Sequence, residues 1–533
     1  MSKDQDKKIN YKGKKRGMKP RSKRNRKRPR GGIGIMGEMD GNNSSEPTKL
    51  QIDILPLCFP GDQLQTKKRV RIVRPYPFTF ATFAKARWLG RSLLDVYADE
   101  FGAYPRVYYR TAIEEGRILV NGKKVDCEYK IKGNDELAHI VHRHEPVVSI
   151  SQVREGQKID SKPFISVVYE DDNIIAVDKP SAIPIHPCGS YNFNSLFHVL
   201  EDQDEALKDS LYNVHRLDRL TSGLTVIAKN TETAKVLGKS IMDREHCQKV
   251  YLARVKGKFP MNVTKNDTLE RVVENTVPVY GEWQCPDDAN KNETPATCYY
   301  ISSSDGEVER NMSLSDVFEN KVDISALMQD GTIENSTWIN LSVPCEIVDP
   351  KNGICEAGKG KPAQTSFAVV RYDEETDSTV VLAKPMTGRT HQIRLHLQYL
   401  NHPICNDPNY GGDMNFADRD SIDLCNRAKE KMKHMDNETN NTERPENSTV
   451  SDTPATEDEL AKAGIGCHSR GEDEPLLDFI QRTCVWCSRN RGGDRNLLEF
   501  LIRSQGIWLH AYQYTLQGPD GLVSYKTSVP DWA

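Results

Sequence analysis

One acidic residue with positively charged neighbours is the first feature of this sequence that could do chemistry. Asp218 lies between Arg216 and Arg219 in the stretch NVHRLDRLTSGLTVIAKN, residues 213–230. Nearby positive charge favours the ionised form of a carboxylate, and guanidinium groups also attract phosphate. The apolar run 224–228 predicts a buried strand, so we expect Asp218 on a loop that leads into a rigid element. On local chemistry alone, a surface ion pair beside a hairpin explains the same residues.

Composition limits the class of protein. The chain has 533 residues and a net charge of −3, so its overall charge gives no indication of a polyanionic partner. Hydrophobic residues make up 37% and charged residues 28%, which indicates a core diluted by polar segments. We find no apolar run of membrane-spanning length and no secretory or mitochondrial signal, so we expect no membrane partner and a location in the cytoplasm, the nucleus or both. Thirteen cysteines, an odd number, favour a reducing compartment over a disulfide framework.

Charge and polarity are unevenly distributed along the chain. Residues 1–31 carry fifteen Lys and Arg and almost no apolar residues, so we predict a disordered basic tail and linker over 1–65. The tail suits a nuclear-import signal or an arm that binds RNA phosphates, and a merely solubilising tail is the alternative. Two further polar stretches, at about 265–358 and 413–475, are predicted to be disordered insertions.

Residues 66–147 predict a small module of two helices and a hairpin. Leu93, Tyr97 and Phe101 recur every four residues and predict a helix over 91–101, and Pro105 can open a second helix. The dipeptide Asn121-Gly122 within RILVNGKKV predicts the hairpin turn. The basic side chains that would give the module one charged face are Arg106, Arg110, Arg117, Lys123 and Lys124. An ordinary packing module is the alternative interpretation.

The motif around Asp218 is not an isolated one. HRLDRLTSGL resembles the catalytic motif of the RluA-type pseudouridine synthases, which isomerise uridine within RNA. Other blocks resemble the same family in the same order: VVYEDDNIIAVDKPSAIPIHP (167–187), KVYLARVKG (249–257), KPAQTSFAVV (361–370), GRTHQIRLHLQYLNHPICNDPNYGG (388–412) and IWLHAYQYTL (507–516). Residues 66–147 resemble the S4-like RNA-binding module that precedes many of these enzymes. The strings at 74–90, 101–110 and 141–148 resemble the eukaryotic subgroup that modifies tRNA at position 32 of the anticodon stem-loop.

The resemblance implies a role for each matching residue. It makes Asp218 the nucleophile, Tyr251 a contact of the target base and a candidate for the later proton abstraction, and Arg394 the partner of Asp218. The residues expected to bind substrate are His215, Arg216, Arg219, Thr221, Ser222, Arg389 and His391. The implied reaction uses no cofactor. The implied fold is α+β: a mixed, mostly antiparallel bent sheet with flanking helices over 160–533, preceded by the S4-like module.

The partner expected from this resemblance is RNA, with tRNA favoured, and we expect a monomer. Ribosomal or messenger RNA is the alternative substrate. Two alternatives come from other functional classes. One is a non-catalytic RNA-binding protein that keeps the fold, and the other is an interaction protein that uses its polar insertions for docking. The presence of Asp218, Tyr251 and Arg394 together argues against the non-catalytic RNA-binding protein.

A cysteine pair near the end of the chain raises the question of a metal. Cys484 and Cys487 have the spacing of a zinc-ligand pair, and the upstream Cys467 and His468 could complete four ligands. Adjacent cysteine and histidine are an unusual arrangement for such a site. We therefore favour reduced structural thiols and predict no metal.

Overall fold

The structure is a computed structural model, and every structural statement below concerns the residues that it describes. These are residues 50–59, 68–102, 104–151, 158, 161–243, 247–259, 297–301, 308–313, 338–349, 353–412, 419–440, 470–471, 473–484, 486–487, 494–503, 506–519 and 521–533. Residues 1–49 of the predicted basic tail and linker (1–65) lie outside them.

The described chain contains both strands and helices, with several runs of consecutive strands. The strands are β1 (Ile52–Pro56), β2 (Arg69–Val73), β3 (Tyr76–Phe83), β4 (Ile118–Val120), β5 (Glu136–Arg143), β6 (Val148–Ile150), β7 (Ser166–Glu170), β8 (Ile174–Lys179), β9 (Tyr212–Asn213), β10 (Ser222–Ala228), β11 (Gln248–Lys256), β12 (Thr297–Ile301), β13 (Val308–Ser313), β14 (Trp338–Ser342), β15 (Cys345–Asp349), β16 (Ile354–Ala357), β17 (Gln364–Asp373), β18 (Ser378–Pro385), β19 (Leu509–Gly518) and β20 (Gly521–Lys526). The helices are α1 (Leu93–Val96), α2 (Arg106–Glu114), α3 (Leu196–Gln203), α4 (Thr231–Asp243), α5 (Gln392–Tyr399), α6 (Arg419–Asn440), α7 (Leu476–Arg482) and α8 (Asp494–Arg503).

A twelve-stranded sheet forms the core of the molecule. Its main path runs β13-β12-β14-β17-β18-β11-β19-β10-β8-β7, with β20 beside β19 and β9 beside β10. Neighbouring strands are antiparallel except β10 and β19, which run parallel and pair Ser222 with His510 and Gly223 with Ala511. The predicted α+β fold with a mixed, mostly antiparallel sheet is therefore confirmed.

The central strand β10 explains why the Asp218 motif ends as it does. Every residue from Gly223 to Ala228 is buried, as the apolar, β-branched run predicts. Gly223 has a φ of +107°, and a Cβ atom there would lie 2.3 Å from the backbone oxygen of Ala511. Only glycine allows β19 to approach this closely at the point where the motif enters the sheet.

The N-terminal module packs α1 and α2 beside a small sheet of β3, β5 and β4. The Ser92 hydroxyl accepts a hydrogen bond from the Asp95 backbone N–H and caps α1, and this helix continues as a π-helical turn that Gly102 ends in the left-handed conformation. The predicted turn is present, because Asn121 and Gly122 both have positive φ.

The expected hairpin partner of β4 is wrong. Residues after the turn contact β4 only through an isolated bridge between Val120 and Lys123, and the strand that pairs with β4 is β5. The physical reason lies in the side chains. Lys123 and Lys124 are exposed, whereas Leu137 and Ile140 of β5 are buried in the module.

One buried carboxylate fixes the N-terminal module against the rest of the chain. Glu145 accepts hydrogen bonds from the backbone N–H groups of Asn192, Phe193 and Asn194 at 2.8, 3.0 and 2.8 Å. It also accepts one from the Tyr76 hydroxyl at 2.6 Å. A charged acceptor that satisfies several donors in a buried place holds the two parts in a defined orientation.

Parts of the segments predicted to be disordered contain regular elements instead. Residues 52–56 form β1, the described parts of 265–358 form the strands β12 to β16, and 419–440 forms α6. Helix α6 packs on α8, and its Ala428 and Met435 are buried with Leu498 and Leu501. The polar composition concealed this helix, because its apolar residues are few but recur with helical spacing. Most of the other residues of these three segments lie outside the described ones.

Candidate active site

A cleft of about 500 Å³ opens where the loop before β10, the strand β11 and the start of α5 meet. Its lining includes residues from the three blocks that carry the predicted catalytic residues: Arg216, Asp218, Thr221, Tyr251, Arg389, His391 and Arg394. The three predicted catalytic residues thus line one cavity although they come from distant parts of the chain. A concave site with a few convergent charged groups is the usual form of an active site.

Asp218 is only partly buried, with 23% of its side chain exposed, so a ligand in the cleft can reach its carboxylate. Arg394 Nη1 lies 3.7 Å from Asp218 Oδ2, and His391 Nε2 lies 3.6 Å from the same oxygen. The sequence predicted that the flanking arginines would supply the positive charge beside Asp218. The structure brings Arg394 into that place, while the Arg219 guanidinium lies over the ring of Tyr191, 5.8 Å from its centroid.

Arg394 is itself held by a carboxylate that the sequence interpretation missed. Its Nε and Nη2 atoms donate to Asp407 at 2.6 and 2.8 Å, and its guanidinium lies 4.6 Å from the ring centroid of Tyr410. Asp407 has no exposed side-chain surface. A bidentate pair of this kind fixes the plane of a guanidinium, which leaves Nη1 directed at Asp218. Asp407 lies within the family-like block 388–412, but no local sequence feature distinguishes it from an ordinary turn residue.

Tyr251 lines the cleft, and its hydroxyl lies 2.6 Å from the hydroxyl of Tyr514 on β19. Burial raises the pKa of Tyr251, and the nearby charge of Asp218 raises it further. The pKa of Tyr514 is also raised by burial. Both hydroxyls are therefore protonated near neutral pH. Tyr514 belongs to the block 507–516, which carried no residue-level prediction.

Lys179 is a second residue that the sequence interpretation missed. It is completely buried, and its Nζ donates to the backbone oxygens of Pro180, Ile183 and Arg219 at 2.9, 3.0 and 3.3 Å. Burial lowers the pKa of Lys179 to about 7. These bonds join the end of β8 to the loop that carries Asp218, so Lys179 positions that loop. The sequence feature that could have indicated this role is a lysine at the end of an apolar strand.

The predicted substrate-binding residues divide into three groups. Arg216 is exposed at the cleft, and Thr221, Arg389 and His391 also line it. His215 lines it too but is fixed from behind, because its Nε2 accepts the Val226 backbone N–H at 3.0 Å. Burial lowers the pKa of His215 to about 3, so the ring is neutral.

Two of the predicted substrate-binding residues lie elsewhere. Ser222 is not among the described residues that line this cleft, and its hydroxyl lies 2.9 Å from His510 Nδ1, because the side chain at this point of β10 faces β19. Arg219 lines a neighbouring cleft. These placements give no support to the predicted substrate contact of Ser222 in the first cleft.

The neighbouring cleft, of about 850 Å³, lies between the N-terminal module and the large sheet. Its lining combines aromatic and basic side chains, among them Phe80, Tyr104, Arg143, Tyr191, Arg219 and Trp486. Of the predicted basic face, Arg106, Arg110, Lys123 and Lys124 are exposed. Arg117 is a correction: it is buried, with its guanidinium between the rings of Tyr108 and Phe479, because α7 covers it.

The two cysteines that were considered as zinc ligands lie against the N-terminal module. Cys484 and Cys487 lie next to His142 and His144, at the end of β5. The partners expected from the sequence, Cys467 and His468, lie outside the described residues. Among the described helices, none combines the length and the apolar character needed to cross a membrane.

Known proteins to which this chain is similar include pseudouridine synthases. A family model described as RNA pseudouridylate synthase matches residues 173–399, and an S4 domain model matches residues 93–137. The chain is 33% identical over 343 residues to "Pseudouridylate synthase RPUSD2" of Homo sapiens. The aligned residues cover 64% of this chain and 46% of the human protein. It is 30% identical over 477 residues to "tRNA pseudouridine(32) synthase, mitochondrial" of Saccharomyces cerevisiae, which covers 87% of this chain and 77% of the yeast protein. It is 29% identical over 487 residues to "tRNA pseudouridine(31) synthase" of the same yeast, with 88% and 97% covered.

Proposed function

The chain belongs to the RNA pseudouridylate synthase family, and we propose that it isomerises uridine to pseudouridine at position 32 of the tRNA anticodon stem-loop. The yeast relative that shares 30% identity over 87% of this chain carries that position in its name. A second yeast relative is named for position 31, so the choice between neighbouring positions is part of the proposal. The observation that carries the catalytic part is the partly exposed Asp218 beside the buried Arg394 in one cleft.

The target uridine enters the cleft as a single flipped nucleotide. Its reacting atoms are inaccessible within stacked RNA, so the nucleotide must leave the stack before chemistry begins. The cleft volume of about 500 Å³ is typical of small-ligand sites and suits one nucleotide. Arg216, exposed at this cleft, binds the phosphate and occupies the space that the base vacates.

Asp218 then acts as a covalent nucleophile on the nucleotide. The bond between N1 of uracil and C1′ of ribose breaks, the uracil turns, and C5 bonds to C1′ as Asp218 leaves. Attack on the base and attack on the sugar break and form the same bonds overall. Arg394 keeps the carboxylate ionised and oriented before attack, and it stabilises the charge when Asp218 leaves.

Tyr251 contacts the base and takes part in the removal of the C5 proton. Its raised pKa means that the hydroxyl is protonated at the start of the reaction. It can therefore accept the C5 proton only if its own hydroxyl proton leaves at the same time, and over the whole reaction the proton lost from C5 is balanced by the proton that N1 of uracil gains. The hydrogen bond to Tyr514 holds the Tyr251 hydroxyl in place. General acid–base steps of this kind contribute about 10²- to 10⁴-fold to rate.

The remaining RNA follows the neighbouring cleft beside the N-terminal module. Aromatic rings and guanidinium groups in one groove are the means by which proteins hold unstacked bases and backbone together. Arg219 and Tyr191 line this groove close to the Asp218 loop, and Arg143 and Phe80 line it from the module.

We place the enzyme in the cytoplasm or the nucleus. Imaging of the tagged chain beside a mitochondrial marker tests that cellular location.

The decisive experiment uses two synthetic anticodon stem-loops that differ in the position of a single uridine, at 32 or at 31. The wild-type protein should convert the uridine at 32, and Asp218→Ala should convert neither while still binding both. Asp172→Asn, at an exposed aspartate in the turn between β7 and β8, is the matched control and should retain full activity. Conversion at 31 alone would overturn the assigned position. If total tRNA, ribosomal RNA and messenger RNA all stay unmodified while RNA still binds, the catalytic proposal is wrong.

A further inference from the structure

Four side chains with nitrogen and sulfur donors converge at the edge of the N-terminal module. His142 and His144 come from the end of β5, and Cys484 and Cys487 follow helix α7. Their four donor atoms all lie within 4.8 Å of one another. Cys487 Sγ lies 3.0 Å from His142 Nδ1 and 3.4 Å from His144 Nε2, and Cys484 Sγ lies 3.2 Å from His144 Nε2.

Local backbone geometry explains why each half of the cluster exists. Residues two apart on a strand point to the same face, so His142 and His144 present their rings side by side. Their ring centroids are 5.1 Å apart. The segment after α7 turns back at Cys484, whose backbone N–H donates to the Gln481 oxygen, so both sulfurs face β5. Neither half by itself makes a site, and the packing of α7 on the module brings the halves together.

We propose that these four residues bind one structural zinc ion. Zinc prefers histidine nitrogen and cysteine thiolate, and its structural sites have four protein ligands in a tetrahedron. In such a site the donor atoms are separated by roughly 3.3–3.8 Å, from Zn–N and Zn–S distances of about 2.0 and 2.3 Å. The contacts of 3.0–3.4 Å in the cluster are close to these separations.

The surroundings of the cluster support a closed structural site. All four residues are half-buried, and the ring of His142 also hydrogen-bonds to the backbone of Pro75. Histidine ligands of metals usually donate their second nitrogen to such an oxygen, which fixes the ring orientation. With four protein ligands the zinc has no open position, so it contributes to structure and not to the isomerisation.

The zinc would fasten a late segment of the chain to the first folded module. Around the cluster, Phe479 of α7 lies 5.7 Å from the Arg117 guanidinium, and the Arg470 backbone N–H donates to Glu115. Trp486 lies between the two cysteines in the chain and lines the larger cleft. Binding of zinc therefore sets the position of one wall of that cleft. The inference goes beyond the proposed function and does not depend on it.

The test is the metal content of the full-length protein, purified without chelator and measured by elemental mass spectrometry. We expect one zinc ion per chain in the wild type, and none in Cys487→Ser or His144→Ala. The matched controls are Cys127→Ser, in the same module, and His434→Ala, at an exposed histidine of α6, and both should keep the zinc. Cobalt added to metal-free wild type should give the visible absorption of tetrahedral thiolate-bound cobalt, and the two cluster variants should not.

A second measurement guards against a variant that simply fails to fold. Removing zinc from the wild type with a chelator should increase hydrogen exchange in residues 473–484, and zinc alone should reverse the change. A wild type that binds no zinc even after dialysis against it would overturn the proposal. Zinc that remains after substitution of both cysteines would also overturn the proposal. A wild-type protein that forms a Cys484–Cys487 disulfide and binds no zinc would do the same. These readouts do not involve RNA, so their failure is distinct from a failure of the proposed function.

Discussion

Arg394 donates two hydrogen bonds to Asp407, from Nε at 2.6 Å and from Nη2 at 2.8 Å, and both side chains are almost completely buried. This pair leaves Nη1 of the guanidinium facing the cleft, where it lies 3.7 Å from Asp218. The partner of the proposed nucleophile is thus held by a second carboxylate. Asp407 acts through Arg394 and is a positioning residue.

Substitution of Asp407 by Asn should reduce turnover while leaving RNA binding intact. The amide offers one acceptor oxygen in place of two, and its NH2 group would face a guanidinium N–H, so the bidentate pair is lost and Arg394 shifts relative to Asp218. A misplacement of about 1 Å costs roughly 10²-fold in rate. We expect kcat to fall by about that factor and KM to change little. Removing one charge of a buried pair also costs about 3–5 kcal/mol of stability, so thermal unfolding must be recorded beside the kinetics. Unchanged kcat in a folded Asp407→Asn protein would contradict the positioning role.

Substitution of Tyr251 by Phe separates the ring of this residue from its hydroxyl. The ring would still contact the base, so binding of the stem-loop should be unchanged, whereas loss of the proton acceptor should lower turnover about 10²-fold. Single-turnover kinetics with saturating enzyme measure the chemical step directly. Tyr514→Phe keeps the Tyr251 hydroxyl but removes its partner at 2.6 Å, and we expect a smaller loss. Wild-type turnover in Tyr251→Phe would limit this residue to packing.

His215 should make the protein sensitive to mild acid. Its pKa is lowered to about 3 by burial, whereas in the unfolded chain it is about 6.5. Between these values the unfolded state binds one more proton than the folded state, so stability falls as the pH is lowered from about 6.5 towards 3. One such group contributes a slope of about 1.4 kcal/mol per pH unit within that window.

The variant His215→Gln tests this slope. Glutamine offers an oxygen to the Val226 N–H but takes up no proton, so its unfolding midpoint in urea should depend less on pH between 6.5 and 5 than that of the wild type. His434→Gln, at an exposed position, should follow the wild type. Equal pH dependence in the wild type and His215→Gln would show that His215 is not buried as a neutral ring.

Substitution of Gly223 by Ala should damage the centre of the large sheet. The new Cβ would lie 2.3 Å from the Ala511 oxygen, and the residue would keep a φ of +107° that L-residues avoid. Overpacking and backbone strain together predict a loss of about 3 kcal/mol or more. Gly238→Ala in α4 is the matched control, because no described atom beyond its chain neighbours and its own helix backbone lies within 4 Å of the place its Cβ would take, and helix propensity predicts a gain of about 0.5–1 kcal/mol. Thermal unfolding of both variants measures the contrast, and equal stability would contradict the close approach of β10 and β19.

Local patterns in the sequence were sufficient for much of the fold. The amphipathic repeat at 91–101 and the strand 224–228 depend on residues adjacent in the chain, and the structure has an element at each of them. The positive φ values of Asn121 and Gly122 follow from the same local preferences. The prediction of disorder failed where composition replaced periodicity as the criterion, as in α6.

Contacts between distant residues required the tertiary structure. The sequence by itself determined that Asp218 lies on a loop before a buried strand, and the family resemblance named Tyr251 and Arg394. The packing of distant elements decided that Asp407 holds Arg394, that Ser222 faces His510, and that Cys484 and Cys487 meet His142 and His144. The physical reason is that local propensities fix backbone conformation over a few residues, whereas side chains separated by hundreds of residues meet only through packing of the elements that carry them.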